Sequence, residues 1–183
     1  MGTQVKVTSG SQKVGLRQRP TLEISRVLGS GKPSIVYRGI FRGFSLPIYA
    51  SDNQELFFNH SVPRRWDGES NPVVVSRVYL DTANTNKKFQ MRLAWQRNGV
   101  GNVVPNTSYN VDTVVDTGTA AQYKSFDVSF EIDYDIAGAG NEIKAGDHLA
   151  LRLYRIAAPS DEISGNVVVL NVYIDYKRGF YGG

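Results

Sequence analysis

The sequence predicts an all-β fold, a jelly-roll-like β-sandwich of about eight antiparallel strands preceded by an extended basic N-terminal segment. Three observations predict this fold. Segments in which apolar and polar residues alternate recur from Ser34 onward. Turn-forming residues separate these segments at intervals of roughly 8–12 residues or a little more. No segment shows the periodicity of an amphipathic helix.

The chain is expected to hold one domain with an N-terminal extension. Its 183 residues are typical of a single domain. Residues 1–33 show little periodicity and end in the break from Gly29 to Pro33. We therefore predict a basic N-terminal arm or edge segment over 1–33 and the sandwich domain over 34–183.

The first strands of the domain are predicted in chain order. Residues 34–49 are rich in Ile, Tyr and Phe, and Gly39 and Gly43 within them indicate bulges or a close backbone approach. Alternation then predicts further strands over Glu55–Val62, Val73–Leu80, Lys88–Gln96, Tyr109–Val115 and Tyr123–Asp135. In the strand over 88–96 the residues predicted to face the core are Phe89, Met91, Leu93 and Trp95.

Residues 146–176 contain two further strands that we expect at the centre of the sheet. In the first, leucines alternate with Ala150, Arg152 and Tyr154. The loop over 157–166 is rich in turn-forming residues. In the second strand, residues 167–169 are expected to be buried on both faces. The predicted core face of that strand consists of Val168, Leu170, Val172, Ile174 and Tyr176.

Basic residues are concentrated near the N-terminus. Residues 1–44 hold eight basic residues and one acidic residue, a net charge of +7, whereas the whole chain carries +4. This asymmetry indicates either an arm that docks on an acidic partner or nucleic acid, or a solvated tail.

The residues that usually carry catalysis or bind metals are sparse. There is no cysteine and no G-x-S-x-G motif, and the two histidines, His60 and His148, lack a ligand spacing. Asp127, Glu131 and Asp133 lie on one face of a strand, which is the expected solvent face. We therefore expect a protein that is not an enzyme and that needs no cofactor or metal. The apolar runs are also far shorter than the ~20 residues of a membrane-spanning helix, so no membrane partner is expected.

Two groups of residues are candidate contact sites, one basic and the other both basic and aromatic. Trp, Tyr and Arg are common anchors of protein interfaces, and they also suit single-stranded nucleic acid. For a β domain with ten Tyr and eight Phe, a protein interface is the preferred interpretation. The predicted partner-binding residues are Lys6, Lys13, Arg17 and Arg19 in the basic segment, with Arg64, Arg65 and Trp66 as a second patch.

The run over 146–176 resembles the C-terminal signature of a group of small phage and prophage virion proteins. Phe57, Phe58 and Pro63 also match that pattern, as does the strand over 88–96, so the resemblance covers roughly residues 53–176. Asp175 stands where the group often has His. The matching residues in the C-terminal run are Leu149, Arg152, Leu153, Arg155, Asp161, Gly165, Val168, Leu170 and Tyr176.

The resemblance implies a jelly-roll virion component that acts by assembly. Its leading form is a bacteriophage capsid decoration or cement protein in the virion, assembled in the host cytoplasm. The implied partners are the major capsid protein, other virion proteins and further copies of the chain in a homo-oligomer, with a trimer as the expected state. Nucleic acid is not an expected partner.

Two alternatives stay open. The first is a tail-fibre or receptor-binding head with a lectin-like jelly roll, in which Trp66 and the loops over 63–72 and 97–107 would form a glycan site. The second is a shell-forming capsid protein whose basic segment faces the packaged genome.

Overall fold

The computed structural model describes residues 17–24, 32–48, 54–136 and 142–179, and this part of the chain contains twelve strands. No helix in these ranges is long and apolar enough to cross a membrane. The strands are β1 (Arg17–Gln18), β2 (Ser34–Arg38), β3 (Phe41–Leu46), β4 (Glu55–Ser61), β5 (Val73–Leu80), β6 (Asn84–Thr85), β7 (Lys88–Asn98), β8 (Tyr109–Asp116), β9 (Thr119–Ala120), β10 (Ser125–Glu131), β11 (His148–Ile156) and β12 (Val167–Lys177).

Two antiparallel sheets form the sandwich. The six-stranded sheet has the order β10-β5-β12-β3-β2, and β1 also pairs with β12. The four-stranded sheet has the order β4-β11-β7-β8, and β6 and β9 form a separate ribbon. Large apolar residues from both sheets form one buried cluster. The predicted all-β sandwich is confirmed.

The predicted strand positions agree closely with the structure where alternation is clean. β5 has the predicted bounds, and Phe89, Met91, Leu93 and Trp95 of β7 are all buried. β10 is shorter than the predicted strand over 123–135. It begins later because Tyr123 has a positive φ of 69° and lies in a turn closed by a hydrogen bond from Lys124 N to Ala121 O.

β11 and β12 are central strands, but of different sheets. β11 pairs with β4 and β7, whereas β12 pairs with β5 on one side and with β3 and β1 on the other. The expectation that they lie together in one sheet is therefore wrong. The loop between them, residues 157–166, carries the chain from one sheet to the other, and we call it the crossover loop.

The predicted core face of β12 is also wrong in its first half. The register with β5 shifts between Val169 and Asn171, which leaves Leu170 as the extra residue of a β-bulge. The bulge changes the phase of the alternation. The residues of β12 in the buried cluster are Val167, Val169, Val172, Ile174 and Tyr176. Burial of residues 167–169 on both faces is confirmed.

Residues 34–48, the described part of the segment predicted over 34–49, contain a hairpin, because β2 and β3 pair with each other. Gly39 lies in its turn with φ of 59°, where a residue with a side chain would be strained. Gly43 meets the predicted close approach: a Cβ there would lie 2.5 Å from Val168 Cγ1. Of the two glycines, one therefore makes the turn and the other makes room for β12.

Part of the basic N-terminal segment lies along β12. Arg17 and Gln18 pair with Lys177 and Tyr176. Further on, Leu22 N donates to Val172 O, and the Leu22 side chain is buried. These residues therefore occupy the place of an edge segment against the second half of β12, while β3 covers its first half.

A buried arginine at the end of β11 binds the crossover loop. The Arg155 side chain is fully buried, and its Nη1 donates to Gly165 O at 2.6 Å. Its Nη2 donates to Ile163 O and forms an ion pair with Glu162. Burial lowers the pKa of this guanidinium, and Glu162 opposes that shift. Arg155 thus supplies donors to loop carbonyls that lie away from water.

Replacing Arg155 with Met should destabilise the fold by about 3–5 kcal/mol, because Glu162 and two carbonyls would lose their buried partner. Urea denaturation of the variant measures this loss. Arg77→Met is the matched control, since its ion pair with Asp127 lies in solvent on the other sheet. Equal unfolding midpoints for the two variants would contradict the role of Arg155.

Candidate functional site

A cleft crosses the outer face of the four-stranded sheet, and two alanines form its floor. Ala94 of β7 lies beside Arg152, and Ala150 of β11 lies between Asn59 and Gln96. Because outward residues of neighbouring strands stand side by side, short side chains in the middle leave a depression. Its volume is about 410 Å³. We call it the first cleft.

The sides of the first cleft combine an aromatic ring with amide and hydroxyl groups. Phe57 of β4 is 37% exposed, although the residues on both sides of it are buried. Asn59 and Gln96 supply amides from the strands, and Asn106 and Ser108 line the cleft from the loop between β7 and β8. The lining therefore offers both an apolar surface and hydrogen-bonding groups.

A second cleft, of about 560 Å³, lies beside the first and shares Trp95 and Gln96 with it. The loop after β7 forms its rim, and Asn98, Asn102 and Thr107 are among its lining residues. Gln96 Nε2 donates to Thr107 O at 3.0 Å, which ties this rim to the sheet. The two clefts are therefore neighbours on the sheet, and together we call them the groove.

Charged residues lie at one end of the first cleft. Arg92 forms two short hydrogen bonds with Asp112, of 2.6 and 2.7 Å. Arg152 lies 5.0 Å from the centre of the Tyr154 ring and 3.4 Å, through Nη1, from Glu55 Oε1. Burial raises the pKa of the Glu55 carboxyl, and the positive charge of Arg152 partly opposes this.

The residues of the second predicted contact patch differ in their exposure to solvent. Arg64 and Arg65 are exposed, whereas Trp66 is only 3% exposed. The Trp66 ring packs against Tyr134 and Tyr176, and its Nε1 donates to Ser70 O at 3.1 Å. Trp66 therefore anchors its loop to the core and offers a partner almost no surface. Contact through Arg64 and Arg65 stays a prediction.

The described part of the first predicted patch lies on the six-stranded sheet. Lys6 and Lys13 are outside the described residues. Arg17 and Arg19 both bind Asp175 Oδ2, at 2.9 and 3.2 Å, and their side chains are more than half exposed. Of the predicted contact residues that the structure describes, none lines either cleft.

The two histidines lie close together on neighbouring strands. The His148 Nδ1 and Ser61 Oγ atoms are 2.9 Å apart, and the His60 ring stacks on Tyr176 at 5.7 Å. Burial lowers the pKa of His60, and His148 lowers it further. Within the described ranges no group of three or more His, Cys, Asp and Glu residues could hold a metal ion.

The sequence analysis did not predict the groove, although one pattern in the sequence pointed to it. Ala150, Arg152 and Tyr154 alternate with leucines in the sequence, which sets a small residue beside a basic and an aromatic one on the face opposite the leucines. Recognising a cleft also needed the register that sets Ala94, Ala150 and Phe57 on three adjacent strands.

Comparisons with known proteins support the fold. No protein-family model matches the chain, and no curated protein matches it. Among solved structures the chain is similar to a xylan-binding module CBM15, with a TM-score of 0.51 and 11% identity over 91% of this chain and 99% of that one.

Two further solved structures are carbohydrate-binding modules with lower scores. One is CBM28, specific for non-crystalline cellulose, with a TM-score of 0.39 and 13% identity over 85% of each chain. The other is CBM36 in complex with calcium and xylotriose, with a TM-score of 0.39 and 12% identity over 85% of this chain and 97% of that one. At such low identities the likeness to CBM15 shows the fold alone, which is a jelly-roll-like β-sandwich.

Proposed function

We propose that this protein is a non-enzymatic carbohydrate-binding protein and that the groove on the four-stranded sheet is its binding site. The observation that carries the proposal is the exposed Phe57 ring beside an alanine floor, within a ring of amide and hydroxyl groups. The fold likeness to CBM15, which is a xylan-binding module, adds support.

The chemistry of the lining suits a sugar chain. The CH-bearing face of a sugar ring is apolar, so it can cover the Phe57 ring and the alanines and remove their apolar surface from water. Hydroxyl groups at the ring edge can both donate and accept, as can the amides of Asn59, Gln96 and Asn106. Two neighbouring clefts favour an extended oligosaccharide over a single sugar.

The described lining of the first cleft supports binding rather than hydrolysis. Glycosidases generally place two carboxyl groups on either side of the scissile bond. The ionisable side chain in this lining is that of Arg152, and the lining includes no Asp or Glu.

The resemblance to phage virion proteins supplies a setting for this binding. A receptor-binding head with a lectin-like jelly roll would use such a groove to recognise a surface glycan. We favour this role over capsid decoration, because the groove is a concave site for a ligand chain. Location in a virion, capsid partners and a homo-oligomer stay predictions.

Phe57→Ala should weaken binding of the ligand glycan by at least about tenfold. Burying a phenylalanine side chain contributes about 1.5–3 kcal/mol, and each 1.4 kcal/mol changes affinity about tenfold. A glycan array with the multivalent protein identifies the ligand, and calorimetry then measures the affinity of the variant.

Tyr37→Ala is the matched control, since Tyr37 is an aromatic residue of 70% exposure on β2 of the other sheet. Its affinity should equal that of the wild type. Equal loss in both variants would place the glycan elsewhere, and a wild-type protein without any array signal would reject the proposed function.

Ala150→Trp should abolish glycan binding without unfolding the protein, because the indole ring would fill the first cleft from its floor. Ala150 is exposed on the outer face of β11, so the larger side chain meets no core residue. Val114→Trp is the control, since Val114 is exposed on β8 of the same sheet but does not line the clefts. Melting curves verify folding, and retained affinity in Ala150→Trp would contradict the site.

A further inference from the structure

Arg152 is the charged side chain that lines the first cleft, and it lies at one end of that cleft. In the sheet register it stands between Phe57 and Ala94, beside both the aromatic ring and the alanine floor. Its side chain is 38% exposed. A ligand lying on Phe57 and the alanines would therefore cover the guanidinium.

The carboxylate beside Arg152 engages it loosely. The atoms Arg152 Nη1 and Glu55 Oε1 are 3.4 Å apart, and Oε1 is buried without a hydrogen bond. Two other paired arginines on the outer faces of the described sheets behave differently. Arg77 forms two bonds of 2.8 Å with Asp127, and Arg92 forms two with Asp112. Arg152 thus keeps donors for a ligand.

The guanidinium is also held in place before a ligand binds. It lies over the ring of Tyr154, which is only 6% exposed. A cation held over a fixed aromatic ring loses less conformational freedom on binding. The neighbouring Arg92 already donates two hydrogen bonds to Asp112, so it does not compete with Arg152 for an acidic group of the ligand.

We propose that the glycan bound in this groove is acidic and that Arg152 binds the carboxylate of one of its uronic acid residues. This inference rests on the proposed glycan-binding function. The planar guanidinium fork matches a carboxylate, with two parallel hydrogen bonds. A neutral sugar in the same position could offer the guanidinium hydroxyl oxygens as acceptors, but those hydrogen bonds lack the charge assistance that a carboxylate supplies.

The first test compares each acidic polysaccharide with its own carboxyl-reduced form, which keeps the chain and linkage but lacks the charge. Polygalacturonate, alginate and glucuronoxylan are suitable probes, with dextran sulfate as a sulfated arm, and affinity electrophoresis measures retention. At least one acidic polysaccharide should bind the wild-type protein about tenfold more tightly than its reduced form, since a hydrogen bond to a charged group contributes about 1.5–3 kcal/mol.

The second test assigns the preference to Arg152. Arg152→Gln should remove the difference between the acidic and reduced forms, and Arg152→Lys should restore only part of it, because lysine lacks the fork. Arg77→Gln removes the same charge from the opposite sheet and should keep the preference. If the Arg152→Gln variant does not fold, the double variant Glu55→Gln/Arg152→Gln removes both members of the ion pair. It also tests whether Arg152 causes the preference for the acidic form.

The outcomes distinguish failure of the uronic acid inference from failure of the proposed glycan-binding function. Equal binding of acidic and reduced polysaccharides would overturn the uronic acid inference and leave the glycan-binding function standing. Tighter binding of dextran sulfate than of every uronic acid polymer would overturn it in favour of a sulfated ligand. A preference that survives Arg152→Gln would also overturn it. A protein that retains none of the polysaccharides, neutral or acidic, would overturn both.

Discussion

The hydrogen bonds and ion pair of the buried Arg155 guanidinium are the interaction on which the two-sheet arrangement depends. Arg155 ends β11 and binds the carbonyl oxygens of Gly165 and Ile163, so it fixes the loop that leads to β12. From the other sheet, Asp81 follows β5 and its Oδ1 accepts from Asn166 N at 2.7 Å. The crossover loop is therefore held from both sheets. A Cβ at Gly165 would lie 2.2 Å from Asp81 Oδ1, which explains why glycine stands at this crowded point.

Alternation in the sequence was sufficient to locate strands but not to assign their partners. β7 was predicted well because its polar and apolar residues alternate over most of its length, and β5 because it is rich in β-branched valine. A period of two identifies the faces of a strand and carries no information about which sheet contains it. This is why β11 and β12 were placed together. The bulge at Leu170 was invisible for a related reason: residues 167–170 are all apolar, so either phase of the alternation fits them.

The candidate site was harder to predict, because the cleft is deep where the side chains on its floor are small. A cleft floored by Ala94 and Ala150 exists only when the register sets both alanines beside larger neighbours on adjacent strands. Trp66 shows the opposite error. A tryptophan next to two arginines is typical of an interface, yet its packing on Tyr134 and Tyr176 buries it. Both errors concern tertiary contacts that local composition does not contain.

The two faces of β11 connect the fold to the proposed site. Leu149, Leu151, Leu153 and Arg155 point inward, whereas Ala150, Arg152 and Tyr154 point outward. A slip of one residue in the register of β11 would exchange these faces, which would bury Arg152 and place a leucine on the floor of the cleft. The contacts of Arg155 with the crossover loop and the pairing with β4 and β7 both oppose such a slip. The interaction that holds the sheets together therefore also holds the cleft-lining guanidinium of Arg152 in position.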